Sequence, residues 1–479
     1  MPSFPRLHRR PRRRSLVTTL AAVTALAAGA VPAAAAEPPA YAPGEVVVGY
    51  APSAGGAAAQ EAVAASVGAF VGGRAGRTGS RTRVLHVEPG QVRATVAKLR
   101  RTPGVAFAAP NPIAHASGAR ASATVPLPDD PGIRGYPGGL AGLQWNFYGP
   151  FGVNALEAWS NVAGRAPGGR GVRIAVLDTG VAYRNLGRFH RSPDFAGTKF
   201  VAPYDFVDAT PYPVDRNGHG THVAGTIAET TDNDLAVTGL AWGATIMPVR
   251  VLDSRGYGDA TTIAKGIRYA VKHGAKVVNM SLEFSTSVHQ SEIPDITSAL
   301  RYATRRGVVV VGSSGNEGEA RIAYPARTSN VISVGATTDD GCLADFSNDG
   351  FGLDLVAPGG GDDADLTNDP NCNPGRQGGD IYQMTYANDS IARFGLPSGY
   401  DGTSMAAPHV TAAAALVIAS RVLGAKPTPG QVECRLKATA RVLGIPGPNR
   451  VYGSGLVDAG AATSAALPAP QCLAGAARR

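Results

Sequence analysis

The sequence predicts an α/β fold: a doubly wound, mostly parallel sheet with helices on both faces, preceded by a small α+β domain. Two observations carry the larger part. From about residue 170, short apolar runs recur at Val172–Leu177, Thr245–Val251, Lys276–Met280, Gly307–Val311 and Val331–Val334. Helical patterns separate them, as in Asp259–His273, where Ile263, Ile267, Ala270 and Val271 share one face. The third observation is a change of pattern near the start. Residues 41 to about 116 hold strand-like Glu45–Gly49, Thr82–Val87 and Val105–Pro110 around a helical stretch, Val92–Arg101, with Val92, Val96 and Leu99 on one face.

Each element follows from what its residues can bury. A strand that is apolar at every position has both sides covered, which a parallel sheet between helices provides and a half-exposed antiparallel sheet does not. In such sheets, ligands bind beyond the carboxyl ends of the strands, so polar residues directly after these runs are the functional candidates. His115 to Thr124 is rich in Ser and Ala and reads as a linker, a natural place for proteolytic nicking.

The chain has 479 residues, too many for one average domain, and its 44% hydrophobic fraction excludes wholesale disorder. The net charge of +9 is unevenly spread. Residues 1–36 hold six Arg and no acid, and residues 37–126 hold nine Lys or Arg against four Glu. Residues 127–479 then have 30 bases against 32 acids, which excludes a basic nucleic-acid-binding body.

Residues 1–36 read as an export signal. Arg6, Arg9, Arg10, Arg12, Arg13 and Arg14 precede an Ala- and Leu-rich run from Leu16, and Ala33–Ala36 supplies a small-residue cleavage site. Thr18, Thr19 and Thr24 weaken that run as a membrane anchor. No later stretch is long and apolar enough to span a bilayer, so a soluble, extracellular protein with no membrane association after signal removal is expected. Arg12-Arg13 leaves open which export route is used. Cys342, Cys372, Cys434 and Cys472 are even in number and contain no CxxC pair, which fits disulfides rather than zinc or redox chemistry. Of three pairings, neighbours are favoured: Cys342 with Cys372 and Cys434 with Cys472.

Three polar motifs remain. Asp178 follows the first strand in Val176-Leu-Asp-Thr-Gly180, where an Asp alone is ordinarily a turn residue. His219 opens an apolar helix in Asn217-Gly-His-Gly-Thr-His-Val-Ala-Gly225, and without an HExxH pattern His219 and His222 do not read as a zinc pair. Ser404 lies in Gly402-Thr-Ser-Met-Ala-Ala-Pro-His-Val410 before an Ala-rich helix, where a Ser alone is a helix cap. Together they supply an acid, an imidazole and a hydroxyl, the set that nucleophilic acyl transfer needs. Their order, Asp then His then Ser, and the lack of a G-x-S-x-G elbow argue against an α/β-hydrolase esterase.

These motifs resemble the three signature motifs of the subtilases, the subtilisin-like serine proteases, and the resemblance runs from about Asp130 to Ala459. It implies a serine endopeptidase that acts on protein or peptide substrates, needs no cofactor for its chemistry and works as a monomer. It also implies an organisation: signal peptide 1–36, inhibitory propeptide 41–116, linker with the processing site 117–127, peptidase domain 128–465 and tail 466–479. The family's oxyanion segment is matched by Val309-Val-Val-Gly-Ser-Ser-Gly-Asn-Glu-Gly318, pointing to Asn316, with the Ser404 backbone N–H as second donor. Substrate-binding positions fall on Ser281, Leu282, Glu283, Ser313 and Gly315. Calcium positions fall on Asp194 and Asn233.

Two departures stand out. Ser281-Leu-Glu-Phe284 has Glu283 where the family usually has glycine, either selecting basic or polar side chains or pointing to solvent. Ala412 replaces a common glycine in the helix after Ser404 and favours that helix slightly. The acidic loop Gly361-Asp-Asp-Ala-Asp-Leu366 could hold a cation, but such a charge run is more often a solvated surface loop. A catalytically silent binding protein would have no need of the intact Asp, His, Ser and Asn set.

Overall fold

A computed structural model of the chain describes residues 41–51, 57–71, 82–112, 128–133, 136–366, 368–388, 390–444 and 448–467. The signal at 1–36, the linker at 117–127, Cys472 and the end of the tail lie outside the described residues. The chain divides into two compact units, 1–119 and 120–479.

In the first unit, strands β1 (Tyr41–Tyr50), β2 (Phe70–Val71), β3 (Thr82–His86) and β4 (Val105–Pro112) form an antiparallel sheet in the order β2-β3-β1-β4. Helices α1 (Ala57–Ser66) and α2 (Val92–Leu99) complete it. Val46, Val48 and Leu85 of the sheet pack with Val96 and Leu99 of α2 in one core. The sequence pattern predicts three of these strands and α2. It misses α1, whose AAAQEAVAAS sequence has too weak an apolar stripe to show a period.

The second unit is built on an eight-stranded sheet. Its strands are β5 (Arg173–Asp178), β6 (Lys199–Phe200), β7 (Tyr204–Asp205), β8 (Thr245–Arg250), β9 (Val277–Met280), β10 (Val309–Ser313), β11 (Ile332–Thr337) and β12 (Leu355–Pro358). The order is β12-β11-β10-β9-β5-β8-β6, with β7 also on β8, and every pairing is parallel. All five predicted strands are present within three residues of their expected bounds.

Alternation explains why those strands read as unbroken apolar runs. In β5, Ile174 and Val176 join one core, while Ala175 and Leu177 join the other. In β10, Val309 and Val311 enter the first core and Val310 the second. The first core is closed by α3 (Ala155–Ala163), α4 (His219–Ala228) and the long α7 (Thr403–Ser420); the second by α5 (Ala260–Lys272) and α6 (Pro294–Arg305). Helices therefore cover both faces of the sheet. α5 starts where its cap predicts, because Asp259 accepts a hydrogen bond from the Thr262 N–H at 3.0 Å. α7 is long and apolar enough to cross a membrane, but 83% of it is buried, so it is the core helix of this unit.

Candidate active site

The candidate residues come together at the carboxyl ends of the central strands. β5 ends on Asp178, whose fully buried carboxylate accepts from the Thr179 N–H at 2.7 Å and bonds His219 Nδ1 at 2.8 Å. His219 begins α4, where Gly220 lets the helix approach the strand: a Cβ there would stand 2.1 Å from the Gly180 carbonyl and 3.0 Å from Asp178. Asp215 braces the turn, accepting from the N–H groups of Asn217, Gly218 and Thr221 and from the hydroxyls of Thr179 and Thr221. Burial pulls the His219 imidazolium down, yet the charge and hydrogen bond of Asp178 outweigh it, and its pKa lies above the ordinary 6.5.

Ser404 sits in the first turn of α7, so its N–H has no intrahelical acceptor. His219 and Ser404 line one cleft of about 570 Å³, with Thr179, Ser281, Leu282 and Glu283 among its walls. No hydrogen bond joins Ser404 to His219 in this structure, a looseness that is common before substrate binds. Pro408, four residues after Ser404, lacks the N–H that would bond the Ser404 carbonyl, and the Ser281 hydroxyl donates to that carbonyl instead at 2.7 Å. The backbone of Ser404 is thereby clamped to the residue just beyond β9.

Asn316 follows β10. Its side-chain oxygen accepts from both the N–H and the hydroxyl of Thr403, each at 2.8 Å, which turns its NH2 group toward Glu283. An acid-braced imidazole and a hydroxyl at a helix N-terminus on one cleft, with an oriented amide against its Glu283 wall, can together attack a carbonyl and hold the resulting oxyanion.

Comparison with known proteins agrees with this arrangement. Residues 169–455 match the subtilase family model, and residues 27–111 match the fervidolysin N-terminal prodomain. The chain belongs to the subtilase family. It is 39% identical over 316 residues to Subtilisin Savinase of Lederbergia lenta, covering 66% of this chain and 98% of that protein. It is 35% identical over 378 residues to a thermophilic serine proteinase of Bacillus sp. (strain AK1), covering 79% of this chain and 78% of that one. A solved protease of Pseudoalteromonas arctica superposes with a TM-score of 0.54 at 29% identity, over 71% of this chain and 99% of that one. This subtilase is a serine endopeptidase with an N-terminal prodomain, and its chemistry needs no cofactor.

The remaining predicted positions are placed as follows. Ser281, Leu282 and Glu283 line the cleft. Ser313 is buried and donates to the Leu282 carbonyl at 3.3 Å, while the Gly315 N–H donates to the Thr403 hydroxyl at 3.3 Å. Glu283 is half-buried against Asn316, so it does not simply point to solvent. His222 is buried on the Ile381 carbonyl and stacked on Tyr400, and burial pushes it down to about 3. Cys342 and Cys372 are joined; Cys434 is disulfide-bonded as well, and its expected partner Cys472 lies outside the described residues. Ala412 is fully buried in α7. One expectation needs correction: the acidic loop is not simply solvated. Asp363 is buried and accepts from the Thr338 hydroxyl at 2.6 Å and the Asn373 N–H at 2.8 Å, so it braces the loop.

Asp194 is buried, with Asn233 Nδ2 at 2.8 Å and the Val237 N–H at 3.3 Å. Burial raises its pKa to about 8, with Asp130 adding like charge nearby, and Asp194 in turn adds to the burial that pushes the Glu229 carboxyl well up. Among the described residues no group of three or more acidic, His or Cys side chains could hold a metal. A calcium ion fits this uncompensated oxygen-rich spot only with Asp194 and Asn233 supplemented by backbone carbonyls.

Sequence reasoning missed Asp215, Thr403, Glu317 and Asn348. Each looks like an ordinary turn residue until its partner, distant in sequence, is known.

Proposed function

We propose that this subtilase is exported, cuts itself free of residues 41–116 and then hydrolyses peptide bonds through an acyl-enzyme on Ser404. One observation supports it above others: the Asp178–His219 hydrogen bond at the edge of the cleft that Ser404 also lines. His219 takes the Ser404 proton as the hydroxyl attacks the scissile carbonyl. Asp178 fixes the ring's tautomer and stabilises the imidazolium. Asn316 Nδ2 and the Ser404 N–H hold the oxyanion. His219 then protonates the leaving amine, and water, deprotonated by the same ring, releases the acyl group. The Arg-rich, Ala-rich N-terminus supports export, and the prodomain match supports inhibition in cis before cleavage. Calcium at Asp194 and Asn233 would supply stability rather than chemistry, by compensating a buried carboxylate.

The test is the full-length precursor with Ser404 intact or as Ser404→Ala, followed by intact mass and by hydrolysis of a peptide. The native form loses its N-terminal unit and cleaves the peptide, while the Ala form stays full length and inert. Equal maturation of both without an outside protease refutes self-processing, and an inert native form refutes the serine mechanism.

A further inference from the structure

Catalysis by Asp178, His219, Ser404 and Asn316 makes no use of Glu283, although this carboxylate touches the oxyanion donor. Glu283 Oε1 accepts from Asn316 Nδ2 at 3.4 Å, and its Oε2 is buried without a hydrogen-bond partner in the protein. That Oε2 lies 2.8 Å from the point where a Cβ on Gly315 would stand, and Glu317 Oε2 lies 2.8 Å from the same point. The two carboxylates therefore approach within twice that distance. Gly315, at φ +117, puts no side chain of its own there, and the group nearest that point is the uncharged Asn348 amide, at 2.1 Å.

Neither acid is neutralised. Glu317 is held by the uncharged Asn348 Nδ2 at 2.5 Å, and among the described residues no Lys or Arg forms an ion pair with Glu283 or Glu317. Burial, and then the charge of Glu317, push Glu283 up to about 7. Two converging carboxylates without a cation are unfavourable in the free protein. A cation brought by the substrate would relieve both.

Geometry fixes which part of a substrate can bring it. The scissile carbonyl oxygen must reach Asn316 Nδ2 and the Ser404 N–H. Its carbon is bonded directly to the Cα of the residue on the acyl side, so that residue's side chain branches about 2–3 Å from the oxyanion. A group in contact with Asn316 Nδ2 is thus a neighbour of that side chain.

We propose that Glu283, with Glu317 beside it, makes this enzyme select Lys or Arg as the residue that supplies the scissile carbonyl. The proposal rests on the acyl-enzyme reading of Ser404. A cationic side chain pairs with Oε2 and draws the carboxylate away from Asn316, which frees the amide for the oxyanion. An apolar side chain leaves a buried charge unpaired and the amide engaged. Sites with buried polar groups reject analogues that lack the matching group for this reason.

The experiment uses the full chain after processing, as native protein, Glu283→Gln, Glu283→Gly and Glu317→Gln. Peptides that differ only at the acyl-side residue (Lys, Arg, Leu, Phe or Glu) are compared by kcat/KM. The native enzyme should favour Lys and Arg over Leu by about 10- to 100-fold, and both Glu283 variants should lose most of that ratio by gaining on Leu as well as losing on Lys. Glu317→Gln should lose less. A native preference for Leu or Phe, or a ratio unmoved in both Glu283 variants, overturns the proposal. Labelling with a fluorophosphonate, which reacts with an activated serine whatever the peptide preference, keeps the two readings apart. Absence of labelling at Ser404 in the native form defeats the serine mechanism. Full labelling of native and variant forms with an unchanged ratio defeats the selectivity alone, and labelling of each variant also shows that it has folded.

Discussion

Two carboxylates serve this site, and they face different partners. Asp178 is fully buried; its Oδ2, like Glu283 Oε2, has no hydrogen-bond partner in the protein, but its Oδ1 takes both the Thr179 N–H and the ionisable His219 ring, whose pKa it raises. Glu283 is half-buried, leans on an uncharged amide and faces another acid. The difference separates catalytic from recognition electrostatics. A charge that must act on every substrate is paired within the fold, whereas a charge that discriminates is left for the substrate to pair.

The sharpest way to break this comparison is Asp178→Asn. The amide keeps the shape but removes the charge and favours the wrong tautomer of His219, so kcat should fall by about 10⁴. With Asp178 present, the acidic limb of kcat/KM should lie above the ordinary histidine value of 6.5, because Asp178 raises His219 despite burial. Activity is lost as pH falls through that pKa, since the base is then already protonated. A limb below 6.5 would show that burial, rather than Asp178, dominates the ring.

Asn316→Ala should come next. It removes one of two oxyanion donors and should lower kcat by about 10²–10³ with little change in KM, measured on a Lys peptide. It also removes the uncharged partner of Glu283 Oε1. A loss confined to KM would mean that Asn316 positions Glu283 rather than the oxyanion.

Much of this was legible in the sequence, for a physical reason. Strands buried on both faces must be apolar throughout, so β5, β8, β9, β10 and β11 announce themselves and fix the sheet's carboxyl edge. The motifs at that edge then locate Asp178, His219, Ser404 and Asn316. Short edge pieces such as Lys199–Phe200 and Tyr204–Asp205 carry no period and were not legible. Nor were the braces. That Thr403 aims Asn316, or that Ser281 takes the carbonyl freed by Pro408, depends on contacts 87 and 123 residues apart in sequence. Glu283 was visible as a departure from the family, but its contact with Asn316 and its closeness to Glu317 exist only in three dimensions.

The smallest effect sharpens the comparison most. With a pKa pushed up to about 7 by burial and by Glu317, Glu283 is charged above that pH and protonated below it. The charged or titratable groups around it are Glu317 beside it and, on the same cleft, His219, the exposed Tyr257 and Arg255, which is already paired with Asp253 and keeps its charge over this range. A Lys peptide stays cationic from pH 5 to 9. The His219 limb acts equally on Lys and Leu peptides, so it cancels in the ratio of their kcat/KM values. That ratio should therefore rise, by about tenfold, as pH increases through 7, and it should be flat in Glu283→Gln. Stability should move the other way. A carboxyl whose folded pKa lies above its unfolded value weakens the fold as pH rises from about 4 to 7 and stays unfavourable above that. Glu283→Gln should consequently melt above the native protein at pH 8 and level with it near pH 4. A variant less stable than the native at pH 8 would mean that the carboxylate is already compensated within the fold and that nothing in it awaits the substrate.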